Sequence, residues 1–335
     1  MKTRGVVALL AAQPALAQPP LPVIDMHLHA SAATSNGPPP LAMCVPLLEY
    51  VDHMRDPRTP WPEIFMGWQK QPPCRDPVWS PTTDDSLMQQ TIASVQRRNI
   101  IGVLSGPPQR VQRWLQAAPG RFIPGLAFQF GEQEYSPDSI RRLYRAGSFA
   151  VLAEVSNQYV GISPSDPRFE PYLALAEELD IPVGIHIGTG PPGAPYLGVD
   201  RYRASLHSPF TLEDALVRHP KLRVYIMHAA WPMLDELLAV MWTHPHVYVE
   251  IGAIVFALPD AELYRFLQRI VEAGFGKRVM FGSDQMVWPG VIERAIARVE
   301  KAPFLNAAQK RDILYNNAAR FLRLTDAEIA KHHTR

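Results

Sequence analysis

Val23-Ile24-Asp25-Met26-His27-Leu28-His29 is an apolar run that closes on two histidines two residues apart. Side chains at that spacing on a strand share a face, so His27 and His29 project together from the strand's C-terminal end. Two imidazoles so placed can share one metal ion. Alone, the pair is equally compatible with two chance surface histidines. Three later runs change the balance: Ile181-Pro182-Val183-Gly184-Ile185 ends in His186, Val224-Tyr225-Ile226-Met227 in His228, and Val279-Met280-Phe281-Gly282-Ser283 in Asp284. Each run ends in one metal-competent side chain.

Working outward, strand-length apolar runs alternate with amphipathic stretches of helix length. The strands are expected near 23–29, 100–105, 122–128, 149–155, 182–187, 223–228, 247–252 and 279–283. The expected helices include 85–98, 137–146, 171–180, 212–219, 231–242, 260–273 and 291–301. Such βα repetition predicts a parallel sheet, and eight units predict an α/β fold, the closed (β/α)₈ TIM barrel. The alternative, an open doubly wound sheet, normally carries a Gly-rich phosphate loop after its first strand, and none follows His29. In a barrel the strand C-termini converge, so the four distant runs would become neighbours at one metal site on that face. Two connections are long, 30–83 and 189–210, and both follow strands, which places them over the same face. Loops of that length in a compact domain usually bind or cover ligands.

The 335 residues are 47% hydrophobic and 19% charged, with a net charge of +1 and no basic run, a balance that gives no reason to expect nucleic acid as a partner. The first 17 residues read as a secretory signal peptide: Lys2 and Arg4, an apolar stretch from Gly5 to Ala12, then Ala15-Leu16-Ala17. A mature chain of residues 18–335, one barrel domain, would be secreted or periplasmic. The apolar stretch is too short to span a bilayer, and no later segment approaches that length. Cys44 and Cys74 both lie in the first long loop. An oxidising compartment favours their pairing, two unpaired buried thiols being the alternative.

The order H-x-H on strand one, His186, His228 and Asp284 resembles the amidohydrolase superfamily. The local sequences are similar to its amidohydrolase-related (amidohydrolase 2) branch, which includes hydroxybenzoate decarboxylases and several lactonases. The likeness runs from about residue 22 to residue 323. It implies metal binding by His27, His29, His186 and Asp284, with His228 a further ligand or a catalytic histidine. Many binuclear members carry a carboxylated lysine at the end of strand four. This chain has Glu154 there, resembling members that use a glutamate, and a carboxylate can bridge two metals as a carbamate does. A hydrogen bond or salt bridge at the barrel rim is the alternative for Glu154. The resemblance also gives Asp284 a second role, taking a proton from metal-activated water.

The expected function is therefore metal-dependent hydrolysis of an ester, lactone or amide bond in a small molecule. Zn²⁺, as one or two ions, is the default for imidazole and carboxylate ligands, and Mn²⁺ or Fe²⁺ fits as well. The rival is a metal-dependent decarboxylase, a lyase acting on an aromatic or muconate-type acid. Against it, the hydroxybenzoate decarboxylases resemble one another in a glutamate three residues after the strand-six histidine, whereas His228 is followed by Ala229-Ala230-Trp231. A serine hydrolase lacks its G-x-S-x-G elbow here. A homodimer is the default assembly. His219, His244, His246, His332 and His333 are expected away from the chemistry, His332 and His333 in a polar tail. His53 and His207 lie in the long loops, within reach of a substrate. Glu250, inside strand seven, is left without a role.

Overall fold

A computed structural model describes residues 20–51, 56, 58–188 and 190–334. Among these, eight parallel strands form one sheet in chain order: β1 (Val23–His29), β2 (Ile100–Ser105), β3 (Phe122–Phe128), β4 (Val151–Val155), β5 (Val183–His186), β6 (Val224–Met227), β7 (Tyr248–Glu250) and β8 (Val279–Met280). The edges meet through backbone bonds, Met26 N to Phe281 O at 2.9 Å and Asp284 N to His27 O at 2.8 Å, so the barrel is nearly closed. Helices follow most of the strands. The one before β2, Asp84–Arg97, shows why they form: Thr83 caps its start by accepting from Ser86 N, and Leu87, Met88, Thr91, Ile92 and Val95 bury one stripe at helical spacing. No helix of the described residues is long and apolar enough to cross a membrane.

The barrel interior is filled rather than hollow. Ile24, Met26, Ile101, Val103, Val151, Ala153, Tyr225, Met227 and Met280 pack together, with Tyr315, Ala318 and Phe321 among them. Above this plug, two irregularities set the site. Pairing of β1 with β2 shifts register between Asp25 and Leu28. As a result Ile24 and Met26 belong to the interior below, Leu28 packs with the outer core, and His27 and His29 meet at the mouth. On β4, register shifts between Leu152 and Val155 against β5 (residues Val183–His186) bring Glu154 to the mouth although Val151 and Ala153 face the interior. Bulges of this kind re-aim side chains beside functional sites.

The 30–83 connection is more ordered than a loop. It holds a helix, Trp61–Lys70, a two-stranded antiparallel ladder of Ala42–Met43 with Val78–Trp79, and the expected Cys44–Cys74 disulfide. Trp61 Nε1 donates to Pro192 O at 2.8 Å, which ties this insertion to the second long loop across the barrel mouth. The C-terminal segment is a correction to the expected polar tail. Asp326–His333 is a helix with a Thr325–Glu328 capping box, and His332 is buried with its Nδ1 2.9 Å from the Tyr315 hydroxyl. The expected signal peptide and His53 lie outside the described residues.

Candidate metal centre

The six residues singled out by the sequence meet at the C-terminal ends of β1, β4, β5, β6 and β8. His27 Nε2 and His29 Nε2 are 2.9 Å apart. Asp284 Oδ1 lies 2.9 Å from His29 Nε2 and 3.6 Å from His27 Nε2. Glu154 Oε2 lies 3.6 Å from His27 Nε2 and 3.7 Å from His29 Nε2. An ion held at about 2.1 Å keeps neighbouring tetrahedral donors roughly 3.4 Å apart, so His27, His29 and Asp284 have the spacing of one coordination shell, with Glu154 Oε2 beside its two histidines. On the other side, Glu154 Oε1 is 3.4 Å from His186 Nδ1, and Glu154, His186 and His228 form a second group of donors within 4.8 Å of one another.

Charge makes the same demand for a cation. Glu154, Asp284 and Glu250 are carboxylates gathered at one largely buried place, and among the described residues the ion pairs they make are to histidines rather than to lysine or arginine. Burial opposes ionisation of Glu154, but the histidines around it outweigh this and hold its pKa well below the usual range; of its neighbours His186 and His27, His186 is itself held neutral, so His27 is the one that carries the opposing charge. For Asp284, burial is again overcome, by His27, His29 and His228, so it too stays ionised. Burial disfavours a charged His27, yet Asp284 and Glu250 raise its pKa well above the imidazole norm. His186 goes the other way: burial, with His228 and His207 nearby, keeps it neutral against the pull of Glu154. An acid-rich cluster in which one histidine must stand in as the cation suits a divalent metal.

Second-layer contacts orient the donors, and they supply what the sequence did not reveal. Glu250, fully buried at the end of β7, sits 3.1 Å from His27 Nδ1 and accepts from the backbone N–H of His228 at 2.9 Å and of Gly252 at 2.5 Å. With the Glu250 carboxylate accepting from Nδ1–H, Nε2 of His27 is left to the metal side. His228 is held likewise, its Nδ1–H donating to Gly252 O at 2.9 Å, which turns Nε2 toward the mouth. Gly282 explains itself here: a Cβ at that position would lie 1.9 Å from Glu250 Oε2. Asp25 Oδ1 accepts from His27 N and Ser283 N, clamping β1 to the segment after β8, and burial pushes its pKa up to about 7. Gln285 holds the end of β1 from the same side, accepting from His29 N and donating to His29 O. His228 and Asp284 both have left-handed backbones, φ 59° and 51°, a strained state that concentrates at functional sites.

We expect Glu250→Gln to weaken metal affinity roughly 10- to 100-fold, because the amide cannot accept from His27 and both backbone groups together. The same loss should cost about 1–3 kcal/mol of stability. Competition with a metal-sensitive dye and a thermal melt measure the two effects. Wild-type affinity in the variant would show that Glu250 does not orient the ligands.

The donors floor a cavity of ≈ 600 Å³. Tyr159, His186, His228 and Asp284 line it, and the insertion supplies Leu47, Leu48, Phe65 and Trp68. Tyr159 was not singled out by the sequence. It sits on a short turn after β4, its hydroxyl 3.3 Å from His186 Nε2, and burial followed by Glu154 raises its pKa well above the phenol norm. Tyr202 accepts from Gly190 N at 2.6 Å. His207, buried, packs behind Tyr202 and His186 and does not line the cavity; burial lowers its pKa to about 4. His219 and His244 pair with Glu170, Glu177 and Glu213, away from the site as expected.

A family model described as amidohydrolase matches residues 24–324. No curated protein matches significantly. Among solved structures, an uncharacterized TIM-barrel protein from Bordetella bronchiseptica is similar at 19% identity and a TM-score of 0.59, over 92% of this chain and 100% of that one. A probable 2-pyrone-4,6-dicarboxylic acid hydrolase from Acinetobacter baumannii is similar at 16% identity and 0.55, over 90% and 99%. The 5-carboxyvanillate decarboxylase of Sphingomonas paucimobilis follows at 14% and 0.53, over 91% and 100%. At these identities the structural likeness concerns the fold.

Proposed function

The chain belongs to the amidohydrolase family, an enzyme family, and from that premise we propose that it is a metal-dependent hydrolase that cleaves an ester, lactone or amide bond of a small molecule. The observation that carries this reading is Asp284. Its carboxylate is ionised, stands 2.9 Å from His29 Nε2, and lines the substrate-sized cavity, where a proton acceptor for water is needed. His27, His29, Glu154, His186, His228 and Asp284 would hold the ion or ions. A divalent metal bound there would polarise the scissile carbonyl and bring the pKa of water toward about 7. Zinc suits a set of imidazoles and carboxylates.

The chain's own residues supply the rest. Asp284 takes the proton from the attacking water and returns it to the leaving group. His228, its Nδ1–H fixed on Gly252 O, presents Nε2 to the mouth as a ligand, and the substrate's reacting end lies beside it. Tyr159 offers a phenolic O–H on the His186 side, a hydrogen-bond donor for developing negative charge. Neighbours named as a hydrolase and as a decarboxylase share this fold, so what favours one reaction over the other is the lining of the cavity. A carboxylic acid bound there would have no cation to pair with besides the metal, since the described residues that line the cavity include neither lysine nor arginine.

The test is a panel of lactones, aryl esters and aromatic acids, scored for acid release against CO₂ release by the metal-loaded protein. We expect acid release from a lactone or ester, abolished by a chelator and restored by a divalent metal. CO₂ release from an aromatic acid without acid release from any ester, lactone or amide would replace the hydrolase with the lyase.

A further inference from the structure

The cavity over the metal centre has two unlike walls. The segments after β4, β5 and β6 carry Tyr159, His186 and His228 beside the metal centre, with Pro191, Pro192 and Trp231 farther along the same wall. The other is built by the segments after β7, β8 and β1, three strands that are contiguous around the barrel. It comprises Leu47, Leu48, Phe65 and Trp68 from the insertion, Phe256 after β7 and Trp288 after β8, with Asn36, Tyr50 and Gln69 of the insertion as its polar but uncharged members. This wall is held together independently of any ligand: Trp288 Nε1 donates to Leu41 O at 2.9 Å, Leu48 N to Ala257 O at 2.9 Å, and Trp61 packs edge-on to Trp68 at 5.3 Å. The leucine, phenylalanine and tryptophan side chains can bury an aromatic or branched aliphatic group, and the polar members of the wall offer hydrogen bonds but no opposite charge.

We propose that the substrate is an uncharged ester, lactone or amide carrying a bulky apolar arm, and that the arm lies on the β7–β8–β1 wall while the scissile carbonyl faces Asp284 and His228. The proposal rests on the hydrolase reading for the bond that is cut, but the wall's chemistry decides the arm. A carboxylate on the arm would leave water for a surface whose described residues include no lysine or arginine, and an unpaired buried charge is strongly disfavoured. A cavity of ≈ 600 Å³ is large enough for an arm the size of an aryl ring together with the reacting group.

Two ketones that no hydrolase can cleave separate the arm from the chemistry: 4-phenyl-2-butanone, and the same molecule with a carboxylate para on the ring. Binding to the metal-loaded protein is read by titration calorimetry. The neutral ketone should bind at least about tenfold more tightly. Leu48→Arg, which places a cation on the wall, should weaken the neutral ketone, strengthen the charged one, and narrow their ratio at least about tenfold. In parallel, phenyl esters of lengthening neutral acyl chains should gain roughly fourfold in kcat/KM per methylene until the wall is filled. Equal or tighter binding of the charged ketone to the wild-type protein overturns the proposal, whatever the variant does. The expected ketone ratio without turnover of any ester, lactone or amide leaves the wall's specificity standing and removes the hydrolase. Ester turnover with a reversed ketone ratio does the opposite.

Discussion

Asp284→Asn is expected to fold normally and to turn substrate over on the order of a thousandfold more slowly. Asn is nearly isosteric with Asp and tolerates the left-handed backbone found at this position, φ 51°. The backbone bond from residue 284 N to His27 O, which closes the barrel, survives the exchange. What disappears is the charge and the proton-accepting oxygen. Asp284 Oδ1 faces His29 Nε2 at 2.9 Å and His27 Nε2 at 3.6 Å, so the residue serves two roles, ligand and base. Elemental analysis beside steady-state kinetics separates them. Slow turnover with full metal content assigns Asp284 to proton transfer, and slow turnover with depleted metal assigns it to ligation. Turnover above about a tenth of wild type would sink both roles, because a general base alone contributes at least about a hundredfold.

The barrel and most of this site could be read from the chain because parallel strands buried on both faces appear as continuous apolar runs. A polar residue that ends such a run is conspicuous, as His186, His228 and Asp284 are. Glu250 escaped because its role depends on a partner 223 residues away, His27, and on two backbone groups; nothing local marks it beyond its place in an apolar strand. Tyr159 is one of several tyrosines near the long loops, and only the turn Asn157–Val160 brings it over His186. Strict alternation also mis-aims three of the donors. Counting by twos from Ile24 and Met26, or from Val151 and Ala153, sends His27, His29 and Glu154 away from the interior, and the register shifts on β1 and β4 bring them back. Irregularity of that kind arises from contacts between strands and leaves no period in the sequence. The helix Trp61–Lys70 was hidden for another reason: it lies in a segment rich in proline and tryptophan, with Pro60 before its first residue and Pro62 in its first turn, and its stability comes from packing over the mouth.

Glu154→Gln carries the sharpest consequence for the metal centre. The two oxygens of Glu154 face different partners. Oε2 looks to His27 and His29 at 3.6 and 3.7 Å, with Asp284 on the same side, and Oε1 looks to His186 at 3.4 Å, with His228 beside it. A carboxylate so placed joins two donor groups, and with its charge both can be served at once. The amide keeps the shape but offers one acceptor oxygen and one donor NH₂, so it can complete only one group. We therefore expect metal content to fall from two ions per chain toward one, with turnover reduced on the order of a hundredfold or more. Glu154→Asp, which keeps the charge and shortens the reach, should retain more metal than the amide does. The measurement is metal-to-protein stoichiometry of wild type and both variants after identical reconstitution, alongside kcat. One tightly held ion in wild type and Glu154→Gln alike, with equal turnover, would make the centre mononuclear and reduce Glu154 to a hydrogen-bonding partner of the histidines. In that event Asp284 would still stand as the proton acceptor, since its place beside His29 does not depend on a second ion.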